Sequence, residues 1–366
     1  MGSRMNYPSC LKTIRALMNI PVAPFHEEWL AQAIINRFSR KKTVCAHRDE
    51  HGNLLLQYRP GKTRKAGFCF QAHMDHPGFV FTRMTGKNRG TAEVHGSIPP
   101  KSRGASVRFF PAPDSRGIPA RITTVRKEKK RIVRVFLHLN DSIPPKTPGM
   151  LDIPPFQTRG NRVFSRGHDD TLGTAVLVCV LEQAVSGRWK QPFDILLTRA
   201  EEAGLVGAIL SAQSGSLSLP LDIITIEMPR ETGDMKMGKG VVCRAGDALG
   251  IFNDKLTGYI LHVAAQCRKT DSGFHHQFRL AHNGRTEASI FSLYGHRTAA
   301  VCLAIRNGHN TGPDQSPSPE IADKRDLRAM LTLLERIAKS PVDLDIAQTK
   351  LREHIVQAYE NYFPLM

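Results

Sequence analysis

His73 and Asp75 stand two residues apart, directly after the apolar run Gly67-Phe68-Cys69-Phe70-Gln71-Ala72. Glu201 and Glu202 follow a second apolar run, 193–198. Glu227 ends a third, 221–226, and His309 comes a few residues after a fourth, 298–305. Asp169 and Asp170 immediately precede a long apolar stretch that begins at Thr171. Each position alone is commonplace, since a lone Asp before a helix is usually a cap. Their convergence carries the information. Histidine and carboxylate donors without thiolate suit zinc first, with cobalt or manganese as alternatives. Two divalent ions roughly 3.5 to 4 Å apart need a bridging carboxylate with ligands on either side. Asp169 is the natural bridge. His73 and Glu227 can complete one ion, and Glu202 and His309 the other. Asp75 then suits an acceptor that orients the His73 ring. Glu201 is left free beside a ligand, where a general base for an activated water belongs.

The elements that must position these groups are legible in outline. Residues 11–18, 27–38, 171–184, 204–212, 324–339 and 344–359 have helical spacing. Residues 53–57, 67–72, 193–198, 221–226 and 298–305 read as strands. Strands alternating with helices predict an α/β fold, a three-layer mixed sheet with helices on both faces. In such a sheet, ligands collect at the carboxyl ends of the strands, where these acidic and histidine residues fall. Between them lies a stretch punctuated by Pro and Gly, with short β-type pieces at 121–125 and 132–139. It predicts a small barrel or sandwich inserted into the α/β domain. The expected organisation is a catalytic part at 1–76, an insertion at 77–164 and the rest of the catalytic domain at 165–366.

The chain has 366 residues, 41% of them hydrophobic, enough for a sizeable core. No apolar run approaches a membrane span, and the N-terminus lacks the apolar core of a secretory signal. Seven scattered cysteines without a CxxC predict a reducing, cytoplasmic location and no disulfide framework. The net charge is +18, and residues 101–166 alone hold 15 basic against 4 acidic residues. The run Arg126, Lys127, Lys129, Lys130, Arg131 reads as a solvated hairpin tip lying outside the catalytic crevice. No aromatic residues interleave with it, which argues against a nucleic-acid partner.

In order along the chain, the motifs resemble the tetrahedral (glutamyl or deblocking) aminopeptidases, a family of dinuclear zinc peptidases. Asp49-Glu50-His51-Gly52-Asn53, Ala72-His73-Met74-Asp75 and Asp169-Asp170-Thr171-Leu172-Gly173 are similar to the family's blocks. So are Glu201-Glu202-Ala203-Gly204-Leu205-Val206-Gly207-Ala208, Gly238-Lys239-Gly240, Gly284-Arg285-Thr286-Glu287-Ala288 and His309-Asn310. The resemblance implies two zinc ions per chain held by His73, Asp169, Glu202, Glu227 and His309, with Glu201 as base. Asp75 and Asp170 are expected behind the ligands, and the resemblance implies release of N-terminal residues from peptides. It also implies that the insertion is a small barrel used for assembly into a homo-oligomer.

Departures from the family pattern mark this chain as divergent. His76-Pro77 replaces Glu-Ile, Thr171 replaces Arg, Glu227 and Glu287 replace Asp, and Gly308-His309-Asn310-Thr311 replaces Tyr-Ile-His-Ser. His76, Thr171 and Glu287 are therefore expected at the pocket. His275, His276 and His282 compete with His309 for its role. A deacylase or amidase using the same metals, or a basic nucleic-acid binder on a dead peptidase scaffold, are the other readings.

Overall fold

The computed structural model describes residues 5–61, 66–215, 217, 221–280, 284–341 and 343–360. Two helices, α1 (Tyr7–Met18) and α2 (Glu28–Phe38), lead into strands β1 (Val44–Arg48), β2 (Leu54–Tyr58) and β3 (Cys69–His73). Six strands follow: β4 (Gly78–Gly86), β5 (Arg89–His95), β6 (Ser106–Phe109), β7 (Ile118–Glu128), β8 (Arg131–Leu139) and β9 (Pro148–Leu151). The short hairpin β10 (Gln157–Arg159) and β11 (Arg162–Ser165) precedes α3 (Thr171–Gly187), β12 (Phe193–Thr198), α4 (Val206–Gln213) and β13 (Asp222–Glu227). Next come β14 (Val241–Arg244), β15 (Gly246–Asp247), β16 (Gly250–Ile251), α5 (Asp254–Thr270), β17 (His276–Arg279) and α6 (Glu287–Leu293). The last elements are β18 (Arg297–Cys302), a short 3-10 turn at Gly308–Asn310, β19 (Glu320–Asp323), α7 (Lys324–Lys339) and α8 (Ile346–Tyr359).

An eight-stranded mixed sheet in the order β1-β2-β12-β3-β13-β18-β14-β17 forms the middle layer. Its central strands are apolar on both sides because helices cover both faces. Strand alternation sorts their side chains. Phe70, Ile195, Leu197, Ile224 and Ile226 join the large core with α1, α3, α5 and α7. Cys69, Leu196 and Ile223 face the other way, toward Ala208 of α4 and Phe291 of α6. Helix α3 is apolar nearly all round and is buried from Thr171 through Leu181, as a helix lodged between sheet and neighbouring helices must be. Helix α7 instead carries a stripe, Leu327, Met330, Leu331, Leu334 and Ile337, with charges on its outer face. Among the described residues, no helix is long and apolar enough to cross a membrane.

The insertion closes into a barrel in the order β4-β5-β8-β7-β6-β9. Its interior is filled by Phe79, Phe81, Phe109, Ile122, Val135 and Leu137, a core separate from that of the sheet. The hairpin Gln157–Ser165, all but its last residue within the stretch expected for the insertion, pairs through β11 with β19 in a three-stranded sheet apart from the barrel. The basic run does form the tip of a hairpin, between β7 and β8.

Candidate active site

Strands β12, β3, β13 and β18 run parallel, so their carboxyl ends open on one edge. The register sets Thr198 beside His73 and Glu227 beside Cys302. The turn after β12 carries Glu201 and Glu202, with α4 starting only at Val206. Asp169 and Asp170, joined by a cis peptide bond, sit at the entry to α3. His309 lies on the 3-10 turn after β18.

Asp169 turns one oxygen toward each histidine. Its Oδ1 is 3.5 Å from His73 Nε2 and its Oδ2 is 3.4 Å from His309 Nε2. His309 Nε2 is also 3.0 Å from Glu202 Oε1. Ligand atoms of His73, Asp169 and Glu202 all lie within 4.8 Å of one another. Two atoms bound to one tetrahedral zinc stand about 3.3 Å apart, close to these separations. Asp169 Oδ1 and Glu202 Oε1 are buried yet lack hydrogen-bond geometry to any donor. Buried acceptors are seldom left so. This donor set fits a divalent cation. Glu227 lines the same cavity as Asp169, Glu201, Glu202 and His309, which has a volume of about 660 Å³.

The electrostatics point the same way. Burial, with Glu202, Glu227 and Glu287 adding to it against the opposing pull of His73, pushes the Glu201 carboxyl well above the usual range. Burial and Asp169 raise Glu227 to about 8. Burial raises Asp170 well above its usual value, reinforced by Glu227 and Asp169. Burial works against protonation of His73, but Glu201, Asp169 and Asp75 outweigh it and raise its pKa. For Asp169, burial is overcome by His309 and His73, which hold it ionised. So many carboxylates in one buried cluster demand positive charge.

Behind these groups the sequence-level candidates take distinct places. Asp75 Oδ1 is 3.3 Å from His73 Nδ1, and its two oxygens accept the backbone N–H groups of Glu201 at 3.0 Å and Glu202 at 3.1 Å. Asp170 occupies the N-cap of α3 without a side-chain capping bond. Its carboxylate fills the space where a Cβ on Gly173 would stand. His76 is buried with Nδ1 against the Asp169 carbonyl and Nε2 3.2 Å from Asn310 Oδ1. Thr171 donates to the Gly167 carbonyl at 2.6 Å, inside the start of α3 and not among the cavity walls. Glu287 is buried, accepting from Thr198 Oγ1 at 2.6 Å and from Gln71. Of the competing histidines, His276 lies on the edge strand β17 and His275 pairs with Arg268; His282 lies outside the described residues.

Two carboxylates escape sequence reasoning. Glu320, fully buried on β19, accepts the N–H groups of His168, of Asp169 at 3.2 Å and of His309 at 2.6 Å. Glu27, fully buried before α2, accepts from Ala200 N at 3.0 Å and from Arg199 Nε at 2.6 Å. Neither stands in an apolar strand end or a spaced motif, so nothing local marks it. One expectation is corrected here. Arg131, at the basic hairpin tip, reaches the cavity that holds Asp169, Glu201, Glu202, Glu227 and His309 and lines it with Arg230, Arg244, Arg279 and Arg285. A hairpin is legible locally, but the direction in which a barrel leans over its neighbour is a long-range property.

The family described as M42 glutamyl aminopeptidase matches residues 139–333, more than half of the chain. A search of curated proteins returns no match. Among solved structures, an aminopeptidase from the archaeon Desulfurococcus kamchatkensis is 19% identical with a TM-score of 0.75, covering 94% of this chain and 98% of its own. The TET1 peptidase of Pyrococcus horikoshii, described as assembling into a tetrahedron or a large octahedral shell, is 22% identical. Its TM-score is 0.72, over 90% of this chain and 99% of its own. A protein of Thermotoga maritima described as an endoglucanase is 18% identical with a TM-score of 0.64, covering 89% of this chain and 96% of its own.

Proposed function

The chain belongs to the M42 glutamyl aminopeptidase family, and from that premise we propose a metal-dependent aminopeptidase that removes N-terminal residues from peptides, with Glu201 as general base. The observation that carries this reading is Asp169 between His73 and His309, one oxygen toward each, with Glu201 alongside. His73, Asp169 and Glu227 would hold one divalent ion, and Asp169, Glu202 and His309 a second, with zinc the leading candidate. Bound there, such ions supply a water of lowered pKa and an electrophile for the scissile carbonyl. Glu201 accepts the proton of the attacking water at its carboxylate and returns it to the leaving nitrogen. Its Oε2 lies 3.8 Å from His73 Nε2, and Asp75 fixes its backbone.

Five arginines line the cavity, against Glu231 and Asp234 outside the metal cluster. They favour an acidic side chain or carboxylate on the substrate, and peptides are the partner that meets this chemistry. The basic hairpin contributes to that field, which replaces the need for a nucleic-acid partner. The barrel would serve assembly into a homo-oligomer, and seven unpaired cysteines, six of them buried, fit a cytoplasmic location.

The test is metal content together with turnover of a panel of aminoacyl-anilides and acylated amines. About two ions per chain and cleavage of the anilides are expected. Cleavage of acylated amines alone would make it a deacylase, and a chain that takes up neither zinc nor cobalt would defeat the reading.

A further inference from the structure

We infer that Glu27 is a positioning residue for the catalytic turn, acting through Arg199 and Ala200 on Glu201. This rests on the reading of Glu201 as the base. Ala200 has φ 51, a left-handed conformation that a non-glycine residue adopts only when its surroundings impose it. What imposes it is a set of side-chain acceptors, one for every N–H of the turn. Asn53 Oδ1 takes Arg199 N at 3.0 Å, Glu27 Oε1 takes Ala200 N at 3.0 Å, and Asp75 takes those of Glu201 and Glu202. The carbonyls are equally engaged: Arg199 O accepts from Gly207 at 2.9 Å and Ala200 O from Val206 at 3.2 Å.

Glu27 is the acceptor best placed to control the conformation. It grips the strained residue itself by its N–H and the preceding residue by its side chain, Arg199 Nε to Oε2 at 2.6 Å. The same guanidinium reaches Glu28 Oε1 at 2.5 Å and the Phe25 carbonyl at 2.8 Å. Phe25 N in turn donates to Glu27 Oε1 at 2.9 Å. Segment 25–28 and turn 199–202 are thus bound as one unit, with Glu27 fully buried between them. Glu27 bonds none of the proposed metal ligands, and Glu202, on the same turn, keeps its own backbone tie to Asp75 at 3.1 Å, so the loss of Glu27 acts first on the strained residue next to Glu201. A displacement of ~1 Å in a reacting group costs about 10²-fold in rate.

The experiment compares Glu27→Ala, Glu27→Gln, Glu27→Asp, Glu201→Gln and the double variant Glu27→Ala/Glu201→Gln in the full-length, metal-loaded enzyme. Expected for Glu27→Ala is a kcat lowered about 10²-fold, with KM and metal content held, partial rescue in Glu27→Asp, and no further loss in the Glu201→Gln background. Where Glu27→Ala does not fold, the isosteric Glu27→Gln carries the same comparison, since it sets an amide N–H₂ against Arg199. A kcat within twofold of the parent overturns the inference, as does loss of metal or an equal fall in the Glu201→Gln background, which marks general damage. Undiminished turnover in Glu201→Gln alone would instead bring down the assignment of the base. A dead Glu201→Gln beside a normal Glu27→Ala leaves that assignment standing and removes only Glu27.

Discussion

Glu320 Oε1 accepts the backbone N–H of His309 at 2.6 Å. The bond spans eleven residues and ties β19 to the turn that presents one histidine of the site. Because the other oxygen takes the N–H groups of His168 and Asp169, one buried carboxylate spaces two proposed ligands from behind. Removing it in Glu320→Ala orphans several buried donors, each worth about 1–3 kcal/mol. The expected result is a metal affinity lowered about 10–100-fold, as for other residues that orient ligands, read by calorimetric zinc titration. Unchanged affinity would show that the turn at 308–310 holds His309 without help.

Glu201→Gln keeps size and hydrogen bonding but cannot take a proton. Turnover should fall by about 10² to 10⁴, the usual contribution of a general base. Metal content by elemental analysis should stay at the parent level. Residual turnover near the parent rate would move the base elsewhere in the cluster.

Gly207→Ala probes the packing that seats the turn at 199–202. A Cβ there would lie 2.4 Å from the Arg199 carbonyl oxygen, 2.6 Å from Arg199 N and 2.6 Å from Asn53 Oδ1. Two of these neighbours are backbone and cannot rotate away. A loss of about 1–3 kcal/mol is expected from such overpacking, read as a lower thermal midpoint. A midpoint equal to the parent's would mean that α4 can slide away from the turn.

Arg285→Ala removes an exposed guanidinium from the cavity wall. A hydrogen bond to a charged group is worth about 1.5–3 kcal/mol, and solvent around an exposed guanidinium brings it to the low end of that range. The specificity constant for acidic aminoacyl-anilides should therefore drop about tenfold, with neutral ones unaffected. An equal drop for both would assign Arg285 to the fold and not to selection.

Acid should loosen the corner that carries Glu320. Asp323, three residues on, pairs with Arg162 at 2.8 Å and Arg325 at 2.8 Å and caps α7. Burial tends to raise its pKa, but the Arg325 hydrogen bonds outweigh it and the carboxyl titrates below its ordinary 3.8. The folded chain thus holds fewer protons than the unfolded one in that range. The stabilisation is present above about pH 4 and fades as pH falls through the folded value. Asp323→Asn should lower stability at neutral pH and flatten its acid limb in denaturant titrations. A parallel limb would locate the acid sensitivity elsewhere.

How much of this was legible in the sequence follows a physical rule. His73 and Glu227 close strands β3 and β13, whose unbroken burial writes apolar runs with polar ends. Helices α3 and α7 likewise declare themselves by composition and by stripe. The barrel's closure and its six-strand order are not written in any one strand, because alternation says which face is inward but not which neighbour is paired. The same holds for Glu27 and Glu320. Each acts on backbone N–H groups more than 150 residues away or across a loop, and an N–H carries no residue-type signature. Thr171, expected at the pocket as a departure from the family pattern, instead bonds back to the Gly167 carbonyl in the segment just before its helix.

The wall that Arg131 lends to the cavity has one more consequence. Arg131 of the inserted barrel and the loops at the carboxyl edge of the sheet line a cleft of about 660 Å³, the capacity of a drug-sized guest. A chain end that is already loose can enter such a space, whereas a folded surface cannot. For the peptide substrates proposed above, this geometry favours loose ends and short fragments over folded surfaces.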